Sequence, residues 1–560
     1  MKITSPFPLK RNIFSLLLPC LLLAGCARIL VPSGGPKDVT PPEVIGEKPP
    51  NGSTNFDGKS IKITFDEYVT LFSPGENVIF SPPLNERVDY TTKGKSVVVK
   101  INDTLQENTT YNIFFSDCIR DFHEGNKLVG YNFAFSTGDS IDKHELFGKV
   151  VNAETNKPEE GALVMLYDKD IDSLPLSTRP NYVTKTNEQG DFAFLHLKPN
   201  NYKIFALKDI NSDLMYNLPN ELIAFSDSLL QAKYYDVDSL NIEEATDIIT
   251  LFMFQEEDTV QLLSPYINPQ AGIYHFPFKV PVHSFDFQIE NDTLIDYFAR
   301  VNPTKDTLSI YLKTFITEEV LVYLSTDSVR IDTVELQPFK VPQRQGRNSK
   351  ETVSTLKINL LNGDDLYAPT LLNFSYPLKP ADSLEMLVIL SLLTGKDTTS
   401  VFVSIPDSFV MQVPVPFTFE PKINHTLLLR DSLFYGYDNT TNNDTLVFSF
   451  SKKTEKDYGN LFINYKIDDD NSADFIVELL SPNRRVIFRD ILSYSKTVEY
   501  MYLLPGIYRI RVIEDRNKNG KWDTGNYRKK LQPEKIFFID KEITIRGFWD
   551  IEEEIELRAP

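Results

Sequence analysis

The segment EDRNKNGKWDTGNY, which begins at residue 514, alternates oxygen-bearing side chains with other residues around Gly520. In a twelve-residue calcium loop, oxygen ligands lie at positions 1, 3, 5, 7 and 9, and a glycine at position 6 allows the sharp turn. Counted from Asp515, the segment matches this order and predicts a calcium site. The predicted ligands are Asp515, Asn517, Asn519, the backbone carbonyl of Lys521, and Asp523.

The same residues also fit a metal-free hairpin. A calcium loop ends on a bidentate glutamate, whereas this segment has Asn526 at that position and carries three cations within the loop. Asn and Asp favour turn conformations, and Gly520 supplies the positive φ that a tight hairpin needs. The hairpin is the simpler interpretation, and a calcium ion at this place would be structural.

An internal repeat links this loop to a segment 306 residues earlier. NYKIFALKDINSDLMYN aligns with IYRIRVIEDRNKNGKWD, which places Tyr202 opposite Tyr508. The earlier copy has Leu214 where the later copy has Gly520, so we expect a calcium site to form less readily there. The ligands of this second, weaker predicted site are Asp209, Asn211 and Asp213.

Catalytic patterns are missing from the rest of the sequence. The six histidines form no HExxH motif, and the chain has no GxSxG motif, no P-loop and no GxGxxG motif between a strand and a helix. The adjacent carboxylates Asp66 and Glu67 do not imply acid–base catalysis in so acidic a chain. We therefore expect a protein that is not an enzyme and that has no cofactor, structural calcium excepted.

The composition predicts several β domains. The chain has 560 residues, of which 12% are aromatic, and it contains 35 prolines. A chain of this length divides into domains, aromatic residues favour strands, and proline favours turns and edge strands. The formal net charge of −20 repels phosphate groups, so nucleic acid is excluded as a partner.

The N-terminus predicts secretion and a lipid anchor. Three cations precede an apolar run from Ile13 to Leu23 that is too short to span a bilayer and is typical of a signal peptide. The run ends in LAGC, which resembles the lipobox of bacterial lipoproteins and implies that the acylated Cys26 anchors the mature chain in a membrane. Only Cys118 would then keep a free thiol, so an intramolecular disulfide is excluded.

Two stretches resemble known β-sandwich families. The segments PPEVIGEKPPNGSTNF, ITFDEYV, LQENTTYNIFF, DFHEGN and FAFSTG resemble the bacterial Ig-like domain first described in S-layer proteins. The segments ELFGKVVNAETNKPEEGALVMLYD and TKTNEQGDFAFLHLKPNNYKIFALKD resemble the carboxypeptidase regulatory, or transthyretin-like, domain. Both resemblances imply a fold, and neither lends catalytic residues.

We therefore predict an all-β chain of tandem antiparallel β-sandwiches, Ig-like and transthyretin-like, after a cleaved lipoprotein signal peptide. The repeat indicates that this pair of domains occurs twice. The predicted segments are a signal peptide (1–25), a Pro/Gly/Ser tether (26–40), an Ig-like domain (41–139), a transthyretin-like domain (143–256), a β domain of unassigned fold (257–350), a second, diverged Ig-like domain (351–455) and a second transthyretin-like domain (456–560).

Two surface features have alternative interpretations. Asp followed by Ser or Thr and then a mostly apolar residue recurs, as at Asp103, Asp306 and Asp397. This triplet is typical of a turn that starts a strand, and it also resembles the O-glycosylation acceptor of some Gram-negative surface proteins. The aromatic residues of YFAR and KYYDVD are expected in the core or, alternatively, in contact with a partner or glycan.

The lipobox, the tether CARILVPSGGPKDVTPP and the closing PGIYRIRVIEDRNKNGKWDTGNYRKKLQPEKI together resemble the Ig-like-domain lipoproteins of Gram-negative outer membranes. This resemblance implies an outer-membrane location. We hypothesise a structural or interaction scaffold among envelope proteins, in an uptake, secretion or barrel-assembly complex. The alternative is an adhesin-like module that binds surface glycan or matrix. The absence of an acidic run after Cys26 weakens a cell-surface location, and the sequence leaves the periplasmic and surface faces open.

Overall fold

The structure is a computed structural model. It describes residues 37–234, 248–257, 261–289, 295–326, 329–339, 355–392, 395–468 and 472–558. Cys26, the predicted signal peptide and most of the predicted tether lie outside these residues. The described chain forms five units, in each of which two β-sheets enclose a shared core. They are sandwich 1 (44–136), sandwich 2 (144–253), sandwich 3 (267–336), sandwich 4 (358–450) and sandwich 5 (459–557).

Sandwich 1 is built from strands whose apolar residues alternate with polar ones. Ile61, Ile63 and Phe65 are fully buried while their neighbours face outward, as the two-residue period of a strand requires. The main sheets have the orders β1-β2-β6-β5 and β10-β7-β4, and β3-β8-β9 form a third. The elements are β1 (Val44–Lys48), β2 (Ser60–Phe65), β3 (Val69–Leu71), α1 (Pro74–Asn77), β4 (Ile79–Ser81), β5 (Asp89–Lys93), β6 (Ser96–Lys100), β7 (Thr110–Phe114), β8 (Ile119–Asp121), β9 (Lys127–Leu128) and β10 (Asn132–Ser136).

Sandwich 2 combines antiparallel sheets with one parallel pair. Its strands are β11 (His144–Asn152), β12 (Leu163–Tyr167), β13 (Tyr182–Lys185), β14 (Asp191–Leu197), β15 (Asn201–Leu207), β16 (Ile223–Phe225), β17 (Leu230–Gln231), β18 (Lys233–Tyr234) and β19 (Ile249–Met253), with a 3-10 turn at Leu174–Leu176. One sheet has the order β14-β11-β18, and β19 pairs with β11 in parallel. The other has the order β13-β12-β15-β16.

Sandwiches 3 and 4 each pack a four-stranded sheet on a three-stranded one. The strands of sandwich 3 are β20 (Ile267–Gln270), β21 (Ile273–Pro277), β22 (Phe285–Ile289), β23 (Tyr297–Val301), β24 (Thr307–Leu312), β25 (Val320–Thr326) and β26 (Val329–Leu336). Those of sandwich 4 are β27 (Ile358–Leu361), β28 (Leu371–Phe374), β29 (Ala381–Leu392), β30 (Gly395–Ile405), β31 (Gln412–Pro414), β32 (Asn424–Leu429) and β33 (Leu446–Phe450). The segment whose fold the sequence left unassigned therefore contains a sandwich.

Sandwich 5 repeats the topology of sandwich 2. Its strands are β34 (Gly459–Ile467), β35 (Asp474–Leu480), β36 (Val486–Leu492), β37 (Lys496–Leu503), β38 (Gly506–Asp515), β39 (Ile536–Phe538), β40 (Ile543–Ile545) and β41 (Asp550–Leu557), after a 3-10 turn at Glu455–Asp457. The orders are β37-β34-β41, with β34 and β41 parallel, and β36-β35-β38-β39. Tyr202 and Tyr508 both donate their hydroxyl to the carbonyl four residues earlier, at 2.9 and 2.7 Å.

No helix among the described residues is long and apolar enough to cross a membrane.

Glycine at the centre of β11 leaves room for the side chains of its two neighbouring strands. A Cβ atom on Gly148 would lie 2.3 Å from Cζ of Phe192 and 2.7 Å from Cγ2 of Ile249. Both distances are far below van der Waals contact, and both neighbours belong to the same sheet as the glycine or pack on it. Gly459 at the start of β34 is also crowded, with the carbonyl oxygen of Arg546 at 2.4 Å from its Cβ position. Its register partner Leu503 corresponds to Leu197, so Gly459 is the counterpart of His144 and not of Gly148.

We predict that Gly148→Ala lowers the free energy of unfolding of sandwich 2 by about 1–3 kcal/mol, because the added methyl group overpacks the core. Chemical denaturation of the wild type and the variant measures this loss. Gly46→Ala is the matched control, because nothing lies within 4 Å of its Cβ position in strand β1. Equal destabilisation by both substitutions would contradict the packing argument.

Candidate functional site

The second Asp-Asn loop (residues 515–523) is a turn closed by its own hydrogen bonds. Asp515 is the last residue of β38 and is fully buried. Its Oδ1 accepts the N–H of Asn519 at 3.1 Å, and its Oδ2 accepts the N–H of Gly520 at 2.7 Å. Lys518 and Gly520 have φ angles of 61° and 74°. The carboxylate therefore holds the left-handed turn that follows the strand.

The first Asp-Asn loop (residues 209–217) makes the same turn without a glycine. Oδ2 of Asp209 accepts the N–H of Leu214 at 2.8 Å, and Leu214 adopts a φ of 63°. Burial raises the pKa of Asp209. The side-chain amide of Asn211 donates to Asp213 at 2.9 Å. Leucine thus occupies the conformation for which the sequence suggested that glycine was needed, and backbone amides bonded to the aspartate hold it there.

The predicted calcium ligands lie together in the second loop, and hydrogen-bond donors already surround them. The side-chain amides of Asn517 and Asn519 both donate to Oδ2 of Asp523, the latter at 2.6 Å. The ammonium group of Lys521 lies 3.5 Å from the other oxygen of Asp523. No cluster of three or more His, Cys, Asp or Glu side chains suited to a metal occurs within the described residues. Calcium therefore stays a prediction for both loops.

A buried glutamate that was not predicted from the sequence accepts hydrogen bonds from each loop. Oε1 and Oε2 of Glu534 accept the N–H groups of Arg516 and Asp523 at 2.8 and 3.0 Å. Glu221 makes the equivalent pair of hydrogen bonds in the first loop. Burial raises the pKa of Glu534. A Glu-x-Ile pattern at the start of the following strand is common to both copies and could have revealed these residues.

The connection between the loop and the glutamate is seven residues longer in sandwich 5 than in sandwich 2, and most of this connection contacts sandwich 2. This docking segment (residues 524–532) places Tyr527 against the outer face of sandwich 2, where only 5% of the side chain remains exposed. Its ring meets Phe205, Tyr216 and Phe225 at centroid distances of 5.8, 5.9 and 5.5 Å, close to edge-to-face. Such aromatic contacts add to the hydrophobic burial.

Polar contacts fix the position of the docking segment. The N–H of Tyr527 donates to Oε1 of Glu256 at 2.7 Å, and burial raises the pKa of the Tyr527 hydroxyl, which donates to the carbonyl of Asp172. A Cβ on Gly525 would lie 2.5 Å from Cζ of Phe254, so glycine permits the close approach. The other contacts join Thr524 to the carbonyl of Gln255 at 2.6 Å, Gln532 to that of Phe225 at 3.0 Å, and Lys530 to the carboxylate of Asp172.

The two copies differ on the face where this contact occurs. In sandwich 2, Met165 and Phe205 lie opposite each other on the outer face and are fully buried. The equivalent pair in sandwich 5 is Glu478 and Arg511, which form an ion pair. Arg511 keeps about a quarter of its side chain exposed beside the buried Glu478, so a cation meets water on this face, whereas two large apolar side chains require a cover. The docking segment supplies part of this cover, and sandwich 1 supplies another part through Ile79.

Neighbouring sandwiches are joined by further specific contacts. Sandwich 1 meets sandwich 2 where β4 approaches β13. Sandwich 3 packs on sandwich 4 through the YFAR residue Phe298, whose ring lies 5.4 Å from those of Phe409 and Tyr437. Other contacts are Val183 N–H to Ser81 Oγ (3.1 Å), Tyr376 hydroxyl to the Leu312 carbonyl (2.8 Å) and the stacked rings of Tyr367 and Tyr502 (3.6 Å). These contacts join sandwich 1 to 2, sandwich 3 to 4 and sandwich 4 to 5, and the docking segment joins sandwich 5 to sandwich 2.

The remaining candidate residues show no catalytic arrangement within the described chain. Burial of Cys118 raises the pKa of its thiol to about 11, so the nucleophilic thiolate is scarce at neutral pH. Asp66 accepts the N–H of Glu43 at 2.8 Å, which is a structural contact. A cavity of about 1290 Å³ separates sandwiches 1 and 2, and no histidine lines it. Cys26, the predicted lipidation site, lies outside the described residues.

Three of the recurring Asp-Ser/Thr triplets show contacts between the aspartate and the residue that follows it. The carboxylates of Asp103 and Asp397 accept the N–H of the following threonine at 2.8 and 2.9 Å. At Asp306 the carboxylate accepts the hydroxyl of Thr307 at 2.9 Å. Asp103 and Asp306 lie in bends, which favours the turn interpretation there, whereas Asp397 lies within strand β30 opposite Leu390 and forms no turn. Glycosylation stays a prediction.

Comparison with known families identifies one of these units. Residues 38–137 match the family model of the bacterial Ig-like domain. The match coincides with sandwich 1 and covers the segments on which the sequence resemblance rested. No curated protein matches the chain. The Ig-like domain establishes a fold and leaves the activity to be argued from the contacts.

Solved structures were also compared with the whole chain. The major pilin subunit BcpA of Bacillus cereus is 10% identical, and the match covers 74% of this chain and 99% of that one with a TM-score of 0.14. The surface layer protein SbsC, domains 1–6, is 12% identical over 91% and 68% of the two chains with a TM-score of 0.13. These scores are too low to support an argument about arrangement or function.

We predict that Tyr527→Ala separates sandwich 5 from sandwich 2, because truncation of a large buried aromatic ring costs about 3–5 kcal/mol. Small-angle X-ray scattering should show a larger radius of gyration for the variant. Tyr494→Ala is the matched control, since 70% of Tyr494 is exposed. Identical scattering from Tyr527→Ala and the wild type would show that the docking segment does not hold sandwich 5 against sandwich 2.

We predict that removal of calcium leaves the melting temperature unchanged, because N–H donors already pair with the carboxylates of both loops. Thermal unfolding in excess chelator and in millimolar calcium gives the comparison. A higher melting temperature in calcium that Asp523→Asn abolishes would establish the calcium site instead. Asp444→Asn, an acidic residue remote from both loops, is the control for general charge effects.

Proposed function

We propose that this chain is a non-enzymatic, lipid-anchored lipoprotein of the outer membrane that acts as a structural scaffold among envelope proteins. Cys26 would fix one end to the membrane, and the sandwiches would present sheet edges and loops to partner proteins. The observation that carries the proposal is the docking segment. A chain of five sandwiches that is locked by a dedicated contact between its second and fifth units suits the rigid placement of partners.

The character of the contacts between sandwiches supports a rigid body rather than a flexible string. Tyr527 is inserted into an aromatic cluster, and its backbone N–H is bonded to a carboxylate of the partner unit. Tyr376 likewise crosses from sandwich 4 to the backbone of sandwich 3. Buried aromatic residues with satisfied polar groups are typical of fixed interfaces. The bacterial Ig-like domain of residues 38–137 is in keeping with a structural role.

One observation favours the alternative of a glycan- or matrix-binding module. Three aromatic side chains lie exposed together where β3 pairs with β8: Tyr68, Phe72 and Phe122. The guanidinium of Arg120 lies 3.9 Å above the ring of Phe72. Exposed aromatic faces with a charged neighbour stack on sugars and on protein partners alike. The scaffold remains the first proposal because the docking segment makes the chain rigid, which sugar recognition does not require.

Affinity purification after mild crosslinking of intact cells tests the scaffold function. We expect the native lipoprotein, gently solubilised from membranes, to bring down a reproducible and stoichiometric set of outer-membrane proteins. Cys26→Ser is the control, because loss of the acylated thiol should release the chain from the membrane and remove the set. Recovery of the wild-type lipoprotein alone would overturn the scaffold proposal and make glycan-array binding, with Phe72→Ala as the variant, the next experiment.

A further inference from the structure

Strand β36 is an edge strand of sandwich 5 with one side open. It pairs with β35 and has no hydrogen-bonded neighbour on its other side among the described strands. Its seven residues therefore present backbone N–H and C=O groups to solvent along that side. Natural proteins usually protect such edges with charged residues, bulges or a covering element, because an open edge pairs readily with another strand.

The exposed side chains of β36 are mostly large and apolar. Val486, Ile487, Phe488 and Ile491 are between 39% and 53% exposed. They occupy both faces of the strand: Phe488 contacts the core residue Tyr500 at a ring distance of 5.5 Å, and Ile491 lies on the opposite, outer face beside Gly520. Ile487 lies at the irregularity in the pairing with β35. Isolated exposed apolar residues are ordinary, but four on one strand with an open edge mark an interaction surface.

Another edge of sandwich 5 carries more protective charge than β36, in which Arg489 and Asp490 are the charged residues and the pairing with β35 is irregular at Ile487. Strand β41 also lies at the end of its sheet. Its outward positions are acidic, and the exposed residues include Glu552 and Glu554. Within one sandwich, therefore, the edge at β41 repels an added strand more strongly than the edge at β36 does.

The equivalent edge in the first copy is covered. Strand β13 occupies in sandwich 2 the place that β36 occupies in sandwich 5, and β4 of the Ig-like sandwich 1 lies against it. The N–H of Val183 donates to the hydroxyl of Ser81 at 3.1 Å, and Val183 is buried. The repeat thus contains one example of how this edge is used: a strand of an Ig-like sandwich covers it.

The charges around β36 indicate which strand would cover it. Arg484 and Arg485 precede the strand, are exposed, and have no ion-pair partner among the described residues. Arg489 within the strand is already engaged with Glu478 and with the carbonyl of Gly520. Two available cations beside an apolar edge favour a strand that carries carboxylates next to apolar residues.

We propose that β36 is a docking edge on which an acidic β-strand of another envelope protein adds to the sheet of sandwich 5. Main-chain hydrogen bonds would extend the β36-β35-β38-β39 sheet, and the partner's apolar side chains would cover the four exposed ones. Its carboxylates would pair with Arg484 and Arg485. This inference rests on the proposed scaffold function and names the surface through which one partner is held.

A photocrosslinking residue tests the edge in intact cells with the full-length lipoprotein. The probe is p-benzoylphenylalanine placed at Ile487, and the matched control is the same residue at Glu552 on the protected edge β41. Mass spectrometry then identifies the crosslinked peptide. We expect an adduct from position 487 and none from position 552, with the crosslink in a strand of an envelope protein that carries Asp or Glu residues.

A second measurement uses variants and affinity recovery. We expect Ile487→Lys/Ile491→Lys to reduce recovery of the crosslinked partner at least tenfold, because lysine protects an edge from strand addition. Arg484→Glu/Arg485→Glu should reduce recovery through charge repulsion, and Glu552→Lys should leave it unchanged. Equal thermal unfolding of wild type and variants would show that the loss is not a folding defect.

Other outcomes overturn the proposal. An adduct between two copies of this chain would assign the edge to self-association, and no adduct at position 487 would show that the edge stays open. If the wild type recovers its envelope partners and the lysine variant recovers them equally, the docking edge is wrong while the scaffold function stands. If the wild type recovers none, the scaffold function itself fails.

Discussion

The insertion of Tyr527 into the outer face of sandwich 2 is the contact on which the arrangement of the chain depends. It joins residues about 270 positions apart in the sequence, because the N–H of Tyr527 donates to Glu256. The apolar pair of Met165 and Phe205 makes this contact necessary, because without a cover those side chains would meet water. In sandwich 5 the buried Glu478 and the partly exposed Arg511 replace them as an ion pair.

The two copies of the repeated unit therefore differ in one respect: both form the Asp-Asn turn, and only the second also makes an interdomain contact through it. The Asp-Asn turn is the same in both copies, since Asp209 and Asp515 hold it with the same backbone hydrogen bonds. The seven additional residues of the second copy convert a local turn into an interdomain contact, while Glu534 keeps its place beneath the loop. The segment that resembled a calcium loop thus has a role in the fold that needs no ion.

The sequence predicted the features that depend on local patterning. Alternation of apolar residues indicated strands and sandwiches. Several segments within residues 41–139 resembled the Ig-like domain that the family comparison identifies. The aligned Tyr202 and Tyr508 indicated the repeat. The docking of Tyr527 was beyond such reasoning, because a tyrosine in a polar loop gives no sign of which distant surface it will meet. The open edge at β36 was hidden for the same reason: exposure depends on the neighbours that three-dimensional packing supplies.

Hydrogen–deuterium exchange at the backbone N–H of Tyr527 tests the central claim most directly. In the docked arrangement this N–H donates to Glu256 beneath a buried ring, so the account predicts strong protection, comparable to that of the core strands. The peptide around Tyr494, an exposed aromatic in the same sandwich, provides the internal reference for rapid exchange. Exchange at Tyr527 as fast as in that reference peptide would show that sandwich 5 is not locked to sandwich 2.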